Sequence, residues 1–191
     1  VRDWFIKLTF FIYQACIMSD LHAVADHLVK QANSVKRQNG NNLLLAGAFG
    51  RSAYNRYYYA CYLDIRVFVS GINSKWGGLN HSEVPTFLTG AVNNKISLEL
   101  AKSEKLGMFS KGIFQSKKSL VHTSLSNMAS VMSKAYTIRC TVDYEPDVHI
   151  EFVKDTFLID KTPVASARDW LRVITIEKSK VMNIMKEIGL V

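Results

Sequence analysis

The stretch Arg51-Ser52-Ala53-Tyr54-Asn55-Arg56-Tyr57-Tyr58-Tyr59-Ala60 puts two guanidinium groups, an amide and four phenols into ten residues. At about 100° per residue, Arg51, Asn55, Tyr58 and Tyr62 share one helical face, and Phe49, Ala53, Ala60, Leu63 and Val67 share the opposite one. The first face thus gathers a cation, an amide and two phenols. Arg56 falls inside the apolar stripe. A guanidinium there must snorkel out or meet a carboxylate, because stranding a buried charge costs about 3–5 kcal/mol. The candidate partner is Asp143, in the run Arg139-Cys140-Thr141-Val142-Asp143-Tyr144. Two readings stay open. The polar cluster Asp143-Tyr144 either closes a buried ion pair that fixes helix register, or belongs to a catalytic or RNA-contacting site.

The histidines are His22, His27, His81, His122 and His149. His22 and His27 are five apart, off the i, i+4 spacing of a metal pair, and no carboxylate cluster joins them. They read as surface histidines. No phosphate-binding glycine loop, GxSxG elbow, HExxH helix or dinucleotide glycine pattern occurs. Neither a metal nor another cofactor is expected.

The elements that must position these groups are helical. Leu21, Ala25, Leu28, Ala32 and Val35 recur at steps of four and three, with Ser19 or Asp20 as the expected N-cap. A polar break carrying Gly40 follows at 38–42. A long helix is expected over 43–70, weakened at its start by Gly47 and Gly50 and ended by Gly71 and the Gly77-Gly78 pair. Ser82 is read as the cap of the next helix, with Pro85 in its first turn. A short helix and a loop are expected over 93–118. Val121, Leu125, Met128, Met132 and Ala135 mark another helix, ending near Cys140 before Glu145-Pro146. The alternation in His149-Ile150-Glu151-Phe152-Val153 suggests a small β-hairpin within 148–160, with an irregular helix as the alternative. Thr162-Pro163 then opens the last helix. The fold class is therefore all-α, an up-and-down bundle of four to five helices.

With 191 residues, one domain with its own core is expected, over 18–191. Residues 1–17 read as an apolar extension, with Met18 as an alternative start. Trp4 to Met18 is too short to span a bilayer, and its end fits a signal-peptide cleavage site poorly. The excess of 24 Lys and Arg over 16 Asp and Glu, a formal charge of +8, favours an anionic partner such as nucleic acid or an acidic protein. Cys16, Cys61 and Cys140 are odd in number and widely spaced, which points to reduced thiols in a cytoplasmic protein.

Three segments carry a family resemblance. Arg56-Tyr57-Tyr58-Tyr59-Ala60 resembles the Arg-x-Tyr-Tyr-Ala segment of HEPN-domain proteins. His81-Ser82-Glu83-Val84 resembles the His-Ser-Gly-Val that opens their next helix. Arg139-x-x-x-Asp143-Tyr144 resembles their Arg-x-x-Ala-Asp-Tyr. The order is that of the family, over roughly residues 20 to 190. The resemblance implies a helical domain of prokaryotic toxin–antitoxin or phage-defence systems. It implies a homodimer or larger assembly acting on RNA, with an antitoxin or defence protein as possible further partner and no membrane role.

Many members are metal-independent ribonucleases marked by Arg, four to six residues, then His. The arginine orients the phosphate, and the histidine serves the 2′-hydroxyl or the leaving oxygen. This chain departs from the pattern, since nine residues, including Pro146, separate Arg139 from His149. If it cuts RNA, the catalytic roles fall to Arg139, which ends a core helix beside Asp143-Tyr144, and to His149, the nearest histidine in sequence, with His81, at the family's matching position, as rival base. Arg51, Asn55, Arg56, Tyr58 and His81 would then hold the RNA. The alternative is a non-catalytic subunit that binds nucleic acid or a partner protein.

Overall fold

A computed structural model describes residues 2–38 and 42–191, with side chains described from residue 20 onward. The protein is all-α apart from one small sheet. Its helices are α1 (Arg2–Gln38), α2 (Leu43–Ile72), α3 (Val84–Phe87), α4 (Asn93–Lys105), α5 (Lys111–Tyr144) and α6 (Val164–Glu187). Strands β1 (Glu151–Val153), β2 (Thr156–Ile159) and β3 (Thr162–Pro163) form an antiparallel sheet in that order. Among the described residues, no helix is long and apolar enough to cross a membrane. The side chains of Trp4 to Met18, including Cys16, and the break at Gly40 lie outside the described residues.

The chain divides into two compact units. The first comprises residues 1–67 and 134–171, and the second residues 68–133 and 172–191. In the first, Ala53, Ala60 and Val67 of the expected apolar stripe of α2 are buried and Phe49 and Leu63 are half-buried, but Tyr58 and Tyr62, expected on the polar face, are buried as well, so α2 is enclosed on both faces. Ala53, Tyr54, Tyr57, Tyr58, Ala60 and Cys61 are all 1% exposed or less. Residues on β2 complete this core: Phe157 and Ile159 are fully buried, and Phe157 meets Tyr54 edge-on at 6.0 Å. The Tyr54 hydroxyl donates to the Thr162 carbonyl at 2.6 Å, which ties β3 to α2. In the second unit, Leu88, Val92, Ile96 and Leu100 repeat at steps of four. They are buried, as are Val121, Leu125, Met128 and Met132 of α5.

Several boundaries differ from expectation. Helix α1 is continuous from Arg2, so Ser19 and Asp20 are interior and cap nothing. Asn80, not Ser82, caps the turn before α3. Its backbone N–H and side-chain amide reach Glu83 Oε2 at 3.3 and 3.1 Å. Residues 93–118 hold the whole of α4 and the start of α5, which then runs on to Tyr144, four residues beyond Cys140. Asp143 and Tyr144 therefore sit in the last turn of a helix and not past its end. The final helix begins at Val164, because Thr162–Pro163 is used as a strand.

The hairpin explains one of the two early glycines of α2. A Cβ on Gly50 would come within 3.2 Å of Ile150 and 3.3 Å of Phe157, so glycine lets the sheet close onto the helix. Gly47 has no such reason, as a Cβ there would meet nothing within 4 Å. Gly47→Ala should therefore stabilise the protein by about 0.5–1 kcal/mol, the ordinary gain in helix propensity. Gly50→Val should lower the melting temperature by displacing Ile150 and Phe157. Thermal melts of the two variants check the contrast.

Candidate functional site

The last turn of α5 leaves carbonyls without intrahelical partners. Arg51, reaching from α2, supplies the donors. Its Nε donates to Val142 O at 3.0 Å, its Nη2 to Thr141 O at 2.9 Å and Glu145 O at 3.0 Å, and its Nη1 to Val148 O at 2.5 Å. This guanidinium is a helix C-cap that also pins the 145–148 turn.

One turn further along α2, the Asn55 amide donates to Asp143 Oδ1 at 2.6 Å. The other carboxylate oxygen lies 2.9 Å from Arg139 Nε, an ion pair along α5 whose side chains are 15% and 23% exposed. The Nε–H is not aimed at that oxygen, so the contact is an ion pair and not a directed hydrogen bond. The Arg139 guanidinium also stands 5.0 Å over the Tyr144 ring. Burial works to lower the Arg139 pKa, but Tyr144 and the Asp143 charge outweigh it, and the group is held even more firmly protonated than an ordinary arginine. Beneath lies a tyrosine cluster. Tyr58 stacks on Tyr62 at 6.1 Å and meets Tyr59 edge-on at 5.6 Å and Tyr136 at 6.2 Å. Burial pushes the Tyr58 phenol far up, so it stays neutral.

Asp143 also lines a groove of about 830 Å³. Leu43, Leu44, Gly47 and Ala48 of α2, together with Val142, Pro146, Ile150 and Phe152, form its apolar walls. Lys36, Arg51, Asp143 and His149 are its polar members. The Lys36 ammonium donates to Lys154 O at 3.1 Å and sits 5.4 Å over the Phe152 ring.

The first unit thus brings together Arg51, Asn55, Tyr58, Arg139, Asp143, Tyr144 and His149. Arg56 does not join them. It is exposed, so the expected Arg56–Asp143 pair does not form, and Asp143 is satisfied by Arg139 and Asn55. The long arginine stem escapes the apolar stripe by snorkelling. His81 opens the turn His81–Glu83 in the second unit, separate in chain grouping from Arg139 and His149. Tyr58 is 0% exposed and packs as core. Among the described residues, no cluster of His, Cys, Asp and Glu could hold a metal ion.

A second polar network went unread in the sequence. The Tyr57 hydroxyl donates to Asp26 Oδ1 at 2.6 Å, and Arg168 Nη2 reaches Asp26 Oδ2 at 2.8 Å. His22 lies 4.0 Å from the same carboxylate, and its Nε2 is 3.0 Å from Arg168 O. The available signal was the i, i+4 pair His22/Asp26; nothing in the sequence ties Arg168 to it. Burial raises the Asp26 pKa, but the bonds from Tyr57 and Arg168 and the nearby positive charge outweigh it, leaving a net depression below 3.8. A depressed carboxyl contributes stability above its unfolded pKa and loses it as pH falls through the folded value. The network should thus add stability near neutrality that fades below about pH 4. Asp26→Asn should lower the melting temperature at pH 7 and narrow its difference from wild type at pH 3. A constant difference across that range would contradict the assignment.

Comparison with protein-family models, with curated proteins and with solved structures gives no match.

Proposed function

We propose that this chain is a HEPN-like, non-catalytic RNA-binding subunit of a toxin–antitoxin or phage-defence assembly, acting in the cytoplasm as a dimer or with a protein partner. One observation carries the choice over the ribonuclease reading. The two arginines of the site are engaged by the protein itself: Arg51, which lines the groove, on four carbonyls, and Arg139, paired with the groove residue Asp143, between Asp143 and Tyr144. A metal-independent ribonuclease needs a cation aimed at the phosphate as charge develops. An arginine committed to a carboxylate and a ring is poorly placed for that, though it keeps its charge for binding. The net charge of +8 favours a polyanion. Leu44, 87% exposed beside Leu43 and Leu45, supports assembly with another chain.

Binding is tested by fluorescence anisotropy of a labelled single-stranded RNA over a salt series. The expected result is saturable binding whose log affinity falls linearly with log salt, as counterion release requires. Absence of binding at low salt would remove the RNA reading and leave a protein-interaction role.

A further inference from the structure

The inference here rests on the reading that the chain binds RNA, and it concerns where a base would sit. Tyr144 is 67% exposed, an unusual position for a large aromatic side chain. It is also held in place. Arg139 lies 5.0 Å over its ring, and Arg139 is in turn fixed by Asp143, whose other oxygen is bonded by Asn55. An exposed ring backed by a fixed cation is preorganised, so little side-chain freedom is lost when something flat stacks on it. The Asp143 carboxylate would repel a phosphate if bare, but both of its oxygens are engaged by donors.

Asp143, the residue before Tyr144 in the last turn of α5, lines the groove together with His149 and Lys36. That groove, at about 830 Å³, falls within the range of about 300–1,000 Å³ typical of small-ligand sites. Its apolar walls suit sugar and base faces, and Lys36 supplies positive charge along it.

We propose that Tyr144, backed by Arg139, is a stacking platform for one unpaired base of single-stranded RNA, whose adjoining nucleotides enter the groove past His149. Stacking on an aromatic ring tolerates any base, so the site selects single strands and not a sequence. A duplex, whose bases are already stacked, cannot use it.

The experiment is anisotropy titration of the full chain with a labelled 12-nucleotide uridine RNA and with a duplex of equal length. Variants are Tyr144→Ala and Tyr144→Phe, each with a thermal melt, which an exposed side chain should leave close to wild type. Tyr144→Ala is expected to weaken single-strand binding about tenfold or more, in keeping with one lost stacking contact. Tyr144→Phe should stay within about twofold of wild type, and the duplex should be insensitive to both changes. If wild type binds and Tyr144→Ala binds equally well, the platform is wrong while the RNA reading survives. If Tyr144→Phe loses as much as Tyr144→Ala, the hydroxyl and not the ring is recognised, and the platform is again wrong. If wild type binds neither RNA, the RNA reading and the platform fall together.

Discussion

Arg51→Ala is expected to be the most damaging single change at the site, and through the fold and not through a ligand. It deletes four hydrogen bonds from one charged group to carbonyls at 141, 142, 145 and 148. Hydrogen bonds to charged groups contribute about 1.5–3 kcal/mol each. The four are not additive, since water replaces some of them, and a total loss of about 3 kcal/mol is expected. At this chain length that lowers the melting temperature by about 6–12 °C. Arg51→Lys should rescue little, because an ammonium is a point donor and cannot span four carbonyls on two sides of a turn. Chemical denaturation of the three proteins measures the losses. An Arg51→Ala protein as stable as wild type, but impaired in RNA binding, would return Arg51 to the ligand-facing role its position on α2 suggested.

The second large effect is a contrast between two arginines that look alike in sequence. Arg139→Ala strands the Asp143 carboxylate at 23% side-chain exposure and removes the cation over Tyr144. A fully buried pair broken this way costs about 3–5 kcal/mol, and partial exposure brings the expected loss to about 2–3 kcal/mol. Arg56→Ala, at an exposed position, should stay within about 0.5 kcal/mol of wild type. The double variant Arg139→Ala/Asp143→Asn should recover part of the loss, because the stranded charge is gone. Equal losses for Arg56→Ala and Arg139→Ala would show that the pairing is misassigned.

The arginines Arg51, Arg56 and Arg139 also mark how far the sequence could be read. The α2 stripe was legible in part, because apolar residues at helical spacing must face a core, and Ala53, Ala60 and Val67 do, but Tyr58 and Tyr62 on the face read as polar are buried too. The hairpin was legible from the alternation across His149 to Val153. Its short third strand was not, since two residues carry no period and Thr162-Pro163 also spells a helix start. Arg56 and Arg51 differ by less than one and a half turns, and both have stems long enough to reach water or core. Which one turns inward is decided by carbonyls about ninety residues away, at and just past the end of α5. No local pattern encodes that. The Asp143-Tyr144 cluster was found, but its partner was misread, because α5 runs through Cys140 to Tyr144 and sets Arg139 and Asp143 four apart on one face. That spacing makes a local ion pair the nearest solution for both charges.

These placements bear on chemistry as well as stability. If Arg139 belongs to Asp143 and Tyr144, and Arg51 to the end of α5, neither of these two arginines is left to orient a phosphate for His149. The most direct measurement is a single-turnover incubation of end-labelled single-stranded RNA with excess purified protein in EDTA, resolved on a denaturing gel beside His149→Ala. RNA that is bound yet intact in both lanes is the expected result. Cleavage by wild type that His149→Ala abolishes would contradict it, and would mean that the Arg139–Asp143 pair opens when RNA binds.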